Sequence, residues 1–492
     1  MTSRSEALRF STPLLLSVAG TIVAAAIGAV VAQLALSSLE PAIIVLIAAL
    51  LWAPIVYRIT QRRFDVFEPV FLVNLSLSYY FLVRPTADLL VGSPFNVEAS
   101  FTPTLLLVLA GVAAFELGYL LPLGKKLSSA LPIAPAPADV GRLVGFAAVL
   151  TIVAAGLFAA FIVVSGGTSV LAVLGAGRSP AASSVYGSTT GYLYDGPALA
   201  IPACLVLLAL ALTHKRHRLL FFILSAIPAA LAFVTAFPQG NRSSLLALLL
   251  PGIALPFVIH HRRPRWFAIL LAALVFLTAG SYIGQNRNAA TDPASQSSSL
   301  TQFWITGTEG SEFDILAVEL QQMPSPIAFS PGATVVDLAT RAVPRVIWPD
   351  KPLERSDALT ASLFPRVYFS FKTDLLPSMV GILYMDSGLI SVLLGMMALG
   401  ILLKTLWEYF QRHSHSLFAQ ILYVTFLPLS FLLMRDSPAQ TMSGLIFTAA
   451  PLVLMFWFAR SRARDSGQGA ATAPTADRHH KPVAGPGHAR ST

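Results

Sequence analysis

The chain has 492 residues, of which 55% are apolar and only 12% charged, with a mean hydropathy of +0.70. An ordinary soluble domain carries about a quarter charged residues, so a soluble globule is excluded. The net charge of +9 does not mark a nucleic-acid binder, because the cations cluster directly after long apolar runs, where they set membrane topology.

Arg4 and Arg9 precede an apolar stretch from Thr12 to Leu36. A cleavable signal has an apolar core of about 7–15 residues, so this longer stretch is expected to persist as a first span. Further runs at 41–57, 66–83, 101–122, 143–164, 196–213, 219–236, 244–259, 266–283, 377–403, 417–434 and 439–459 predict about twelve transmembrane helices in all. The one cysteine, Cys204, lies inside a run, so neither a disulfide framework nor a CxxC metal site can form.

Counted from a cytoplasmic N-terminus, 22 of the 33 lysines and arginines fall on the inner side. They include Arg58, Arg62 and Arg63, then Lys125, Lys126 and Arg142, and the basic loops around Lys215 and Arg262. Every short inner loop is basic, as the positive-inside rule requires, about 16 of the 24 acids fall on the other side, and both termini are expected in the cytoplasm.

The outer connections are unequal. Ser37–Glu40 and Phe237–Ser243 are short, 84–100 and 165–195 are of medium length, and Gly284 to Leu376 is long enough for an extracytoplasmic subdomain. Helical apolar spacing over Ser311–Leu320 and Ala333–Ile347, broken by Pro324, Pro326 and Pro331, predicts two helices there. The expected organisation is thus a bundle over 1–283, a loop subdomain over 284–376, a second bundle segment over 377–464 and a tail over 465–492. The tail's Ala, Gly, Pro and Ser content predicts disorder.

Eleven basic residues fall on the outer side, seven of them between Arg287 and Lys372. Arginines held beside low-dielectric walls suit an anion at the membrane surface, because a guanidinium takes two phosphate oxygens in a fork. Arg242, in the turn Gln239-Gly240-Asn241-Arg242, has little structural purpose on a tight connection between spans. Arg341 lies four residues after Asp337, which equally fits a helical ion pair. Arg84 and Arg435 stand at span ends, where snorkelling to the interface is an equal alternative.

Glu312 and Asp314 open a helix, where carboxylates favour the dipole in any case. Asp386 marks a helix break and reads equally as a functional acid or a cap. Glu68 and Glu116 are expected at the inner interface, and Tyr79 and Tyr80 in an outer aromatic belt. All nine histidines fall on the inner side, and no outer cluster has zinc-like spacing, so no metal or other cofactor is expected.

The segment Ala342-Val343-Pro344-Arg345-Val346-Ile347-Trp348-Pro349-Asp350-Lys351-Pro352 resembles the iPR.lWPdKP stretch of Wzy-type O-antigen polymerases, the oligosaccharide repeat unit polymerases. Glu312-Phe313-Asp314, Gly240-Asn241-Arg242 and Gly381-Ile382-Leu383-Tyr384 resemble flanking motifs of that family, so the motif likeness covers roughly 237–403. Asp386-Ser387 departs from the family's turn at that place.

The resemblance implies a GT-C-like membrane glycosyltransferase of the bacterial inner membrane. It would join oligosaccharide repeat units on undecaprenyl diphosphate at the extracytoplasmic face. Its partners would be lipid-linked donor and acceptor, the bilayer and a chain-length regulator. On this reading Arg345 is catalytic, Arg242 and Lys351 clamp diphosphate with Arg341 and Arg435 in support, and Glu312 or Asp314 accepts the acceptor's proton. The alternatives are an O-antigen ligase-like transferase, expected to need an outer histidine, and a flippase or transporter, expected to show paired repeats. A dolichol-type mannosyltransferase would place acids in a long first outer loop, where this chain has a tight turn.

Overall fold

A computed structural model describes residues 39–460, apart from 94, 96, 133–137, 165–192, 194, 237–241, 288–301, 308–309, 342, 344–346, 372–374 and 376. The expected first span at 12–36 and the tail at 465–492 therefore lie outside the described residues, as does Arg345.

The described elements are helical, with one isolated bridge between Ala138 and Arg460. In chain order they are α1 (Glu40–Thr60), α2 (Pro69–Ser78), α3 (Arg84–Val91), α4 (Phe101–Leu120), α5 (Leu123–Ala130) and α6 (Val140–Val164). Next come α7 (Ala200–Thr213), α8 (Arg218–Ala236), α9 (Arg242–Ile259) and α10 (Trp266–Arg287). The long loop segment carries α11 (Glu312–Gln322), α12 (Ala333–Thr340), α13 (Arg355–Leu363) and α14 (Pro365–Phe371). The chain closes with α15 (Ser378–Ser387), α16 (Leu389–Arg412), α17 (Leu417–Leu432) and α18 (Pro438–Phe458).

Among the described residues, six helices are long and apolar enough to cross a bilayer, and four shorter apolar helices accompany them. This is an all-α, polytopic helical-bundle membrane protein. Proline falls inside α1, α8, α9, α17 and α18. Membrane helices tolerate it because neighbouring groups satisfy the freed carbonyls.

Three expectations need correction. The run at 377–403 is two helices that meet at Gly388, whose φ of 66° ends α15 and starts α16. The ten residues of α15 span about 15 Å, too short for a hydrocarbon core of about 30 Å. The helix expected over 333–347 stops at Thr340, shortly before Pro344, a residue that disfavours helical backbone at the position before it. The helix expected to end near residue 83 continues to Val91, because a π-helical turn at Tyr79–Val83 joins α2 to α3.

Packing forms two hydrophobic cores. The first unites α1, α2, α4 and α16 with α11 and α15, so the long loop segment is built onto membrane helices. The second unites α6 to α9 with α17 and α18. In lipid no hydrophobic force draws apolar helices together, and close backbone approach must supply the attraction. Gly118 of α4 and Gly400 of α16 provide it: a methyl group on Gly118 would overlap the Met397 carbonyl oxygen, and one on Gly400 the Phe115 carbonyl oxygen.

Candidate active site

The end of the bundle that carries the long loop holds a buried polar cluster drawn from two distant stretches of chain. Arg84, the first residue of α3, is only 1% exposed. Its Nε lies 3.2 Å from Asp88, one helical turn on, and its Nη2 lies 2.7 Å from Asp314 of α11. Its Nη1 donates to the carbonyls of Ile305 (2.9 Å) and Gly307 (2.8 Å).

Both Asp314 oxygens are engaged, since Ser93 Oγ donates to the second at 2.5 Å. Burial, reinforced by the negative charge of Asp314, pushes the Asp88 carboxyl up to about 7, against the pull of Arg84. The snorkelling reading of Arg84 is overturned: its guanidinium points into protein and binds the loop segment to the membrane helix.

Two π-helical turns frame this contact. One is Tyr79–Val83, and the other, Gln302–Thr306, supplies carbonyls that Arg84 and Tyr79 bind. Tyr79 Oη donates to Trp304 O at 2.7 Å, so Tyr79 serves as a brace between segments and not only as an interfacial ring. A π turn inserts one extra residue and re-aims the side chains that follow, and such turns recur at functional sites.

Beside this closed network lies a looser pair. Arg435 Nε is 3.4 Å from Glu312 Oε1, and the Arg435 side chain is 30% exposed. Tyr80, buried in the π turn between α2 and α3, lies within electrostatic reach of Glu312, Arg435 and Asp436. The fold thus unites three of the predicted site residues, Glu312, Asp314 and Arg435, and adds Arg84, Asp88 and Tyr80.

Arg341 and Lys351 lie elsewhere on the loop segment. Arg341 pairs with Glu354 instead of Asp337. Asp337 Oδ2 accepts the Arg355 backbone N–H at 3.1 Å and so caps α13. Asp386 Oδ1 accepts the Thr334 N–H at 3.0 Å and so caps α12. Lys351 Nζ donates to Val343 O at 3.4 Å. Arg242 opens α9, but its side chain, like Arg345, lies outside the described residues.

Besides Asp88, another buried acid escaped the sequence reading. Glu319, about two helical turns after Glu312 on α11, is fully buried, and neither of its carboxyl oxygens has a hydrogen-bond partner. Burial holds its carboxyl well above the usual range, with Arg355 the opposing charge. Its place in an apolar helical stretch masked it. The Arg84–Asp88 spacing of four, by contrast, was a visible signal of a helical ion pair.

At the opposite end of α2 lies a second polar network. Glu68 pairs with Arg58 and accepts the Tyr119 hydroxyl at 2.8 Å. Asn74 Nδ2 donates to Glu116 at 2.7 Å and to Leu51 O at 2.6 Å. Glu68 and Glu116 are each 5% exposed, so both are buried among the helices. Among the described residues, no three or more His, Cys, Asp or Glu gather as metal ligands. Comparison with protein-family models, with curated proteins and with solved structures finds no match.

Proposed function

We propose that this protein is a membrane glycosyltransferase that polymerises lipid-diphosphate-linked oligosaccharide repeat units. On this reading the loop-bearing end faces the extracytoplasmic side of a bacterial inner membrane, and the basic end faces the cytoplasm. The charge division between loops supports that orientation. The motif at 342–352 supports the family reading.

The observation that carries the mechanism is the buried Glu312 carboxylate, paired with the partly exposed Arg435 and close to Tyr80. A guanidinium held at 3.4 Å from its carboxylate can exchange that partner for a diphosphate oxygen. The exchange would leave Glu312 to accept the proton of the attacking hydroxyl as the new glycosidic bond forms and the anomeric carbon–phosphate oxygen bond breaks. The leaving diphosphate gains one negative charge, which Arg435, with Arg345, Arg242, Arg341 and Lys351, would neutralise. Asp314, with both oxygens bound, serves in this reading to hold Arg84 instead of taking a proton.

The test is direct. Purified protein in lipid nanodiscs is given a lipid-linked repeat unit, and products are resolved by length. A ladder from wild type and none from Glu312→Gln supports the reading. A wild-type protein that transfers finished glycan without lengthening it is a ligase, and one that only moves the lipid between leaflets is a transporter. Loss of lengthening in EDTA that magnesium or manganese restores would exclude the metal-independent mechanism.

A further inference from the structure

Helix α5 was not foreseen in the sequence and has no part in the chemistry proposed above. It follows α4 after two residues, so it starts where that apolar span ends. Successive helical residues turn by about 100°, which divides these eight residues into three faces.

Gly124 and Ser128 form the first face. Both are buried, with Gly124 against Lys404 and Ile401 of α16. Leu123 and Leu127 form the second, and they are 43% and 46% exposed. Leu120 before the helix (62% exposed) and Leu131 after it (44%) extend this apolar edge. Lys125, Ser129 and Lys126 form the third face, and all three are exposed.

Arg412, exposed at the end of α16, donates from Nη2 to Lys125 O at 3.0 Å and brings a third cation to the polar edge. No acid lies between Leu117 and Pro132. The nearest acid on α16, Glu408, is paired with Lys404 at 3.0 Å.

An exposed leucine edge continuous with the lipid-facing surface of a span, beside a cationic edge with no acid of its own, fits one surroundings. We infer that α5 lies in the membrane interface and binds anionic phospholipid, with its leucines in the acyl-chain boundary and Lys125, Lys126 and Arg412 on the headgroup phosphates. Amphipathic helices with lysine on the polar edge and leucine on the other bind this way. Each cation near an anionic leaflet adds about 1 kcal/mol, roughly a fivefold preference. The contact clamps the α4–α16 crossing from its basic end, since α5 is pinned to α16.

The test uses the full chain in vesicles, in a Cys204→Ala background. A fluorophore on Leu127→Cys should be quenched by spin-labelled acyl chains, and one on Lys125→Cys by aqueous iodide. Vesicles with phosphatidylglycerol should raise the unfolding temperature above that in pure phosphatidylcholine. The double variant Lys125→Gln/Lys126→Gln should lose most of that rise while unfolding normally in phosphatidylcholine, and high salt should reduce the rise for wild type. Quenching of the Leu127→Cys probe by iodide alone overturns the placement. A rise left intact in the double variant overturns the lipid site. Neither result bears on the glycosyltransferase reading, which is read separately from polymer length.

Discussion

The helix that runs from Pro69 through the π turn to Val91 carries a buried charge network at each end, and the two are assembled differently. At the basic end, Arg58 and Glu68 are ten residues apart across one turn, and Tyr119 and Asn74 complete the set within the first three described spans. At the loop end, Arg84 reaches across 221 residues to Ile305 and on to Asp314. Glu312 meets Arg435 beyond a further set of spans. The first network closes as soon as its local helices pack. The second cannot exist until the long loop has folded down, so it reports on the whole bundle. Its outlying pair, Glu312–Arg435, is also the more exposed, with Arg435 at 30%. On the proposed reading the difference separates a brace from a site: the fully buried network stabilises, while Arg435, partly open to solvent, can meet a diphosphate.

The largest effect should follow Arg84→Ala. It strands Asp88 and Asp314 without their cation in a fully buried setting, for which a loss of about 3–5 kcal/mol is expected. Thermal unfolding in detergent measures it, and a change under about 1 kcal/mol would mean the loop is not held by this residue. Next come Glu312→Gln and Arg435→Lys. Each should slow polymerisation about 10²–10³-fold while leaving the unfolding temperature near wild type, because each variant is close in shape and the Arg435 side chain is 30% exposed. Lysine fails because a point charge cannot replace the fork. A normal ladder from Arg435→Lys would place the diphosphate elsewhere.

At the basic end, Arg58→Ala should cost about 1–3 kcal/mol. Glu68 keeps the Tyr119 hydroxyl, and the Arg58 side chain is 17% exposed, so water can compensate. An equal or greater loss than Arg84→Ala would reverse the contrast between the ends. A further effect concerns pH. Asp88 is raised from its usual 3.8 to about 7, so the folded chain holds this proton more tightly than the unfolded chain does. Its contribution therefore falls as pH rises from about 4 to about 7. Asp88→Asn should flatten stability against pH over that window, and an unchanged slope would assign it to another acid.

Much of the fold was legible because each membrane helix must satisfy its own backbone hydrogen bonds, so its apolar run is written locally. Every run predicted between 41 and 459 contains a helix. Where local rules compete, reading failed. Gly388 split the 377–403 run, and the short helix at 123–130 hid behind lysines that had served as topology marks. Glu312 and Arg435 were both singled out in the sequence, as a candidate base and a supporting diphosphate ligand, but nothing there showed that the two meet.

Composition, charge segregation and the period of the apolar runs determined by themselves that this is a multi-helix membrane protein, and they located its cations. The motif at 342–352 was also complete in the sequence. Only the tertiary structure decided which charges meet. Arg84 became a buried anchor instead of a snorkelling side chain, Asp386 a helix cap, and Arg341 a partner of Glu354 instead of Asp337. The physical reason is that helix formation is governed by neighbours along the chain. A buried charge is governed by whichever opposite charge the packing of glycine-lined helices and a folded loop brings within a few ångströms.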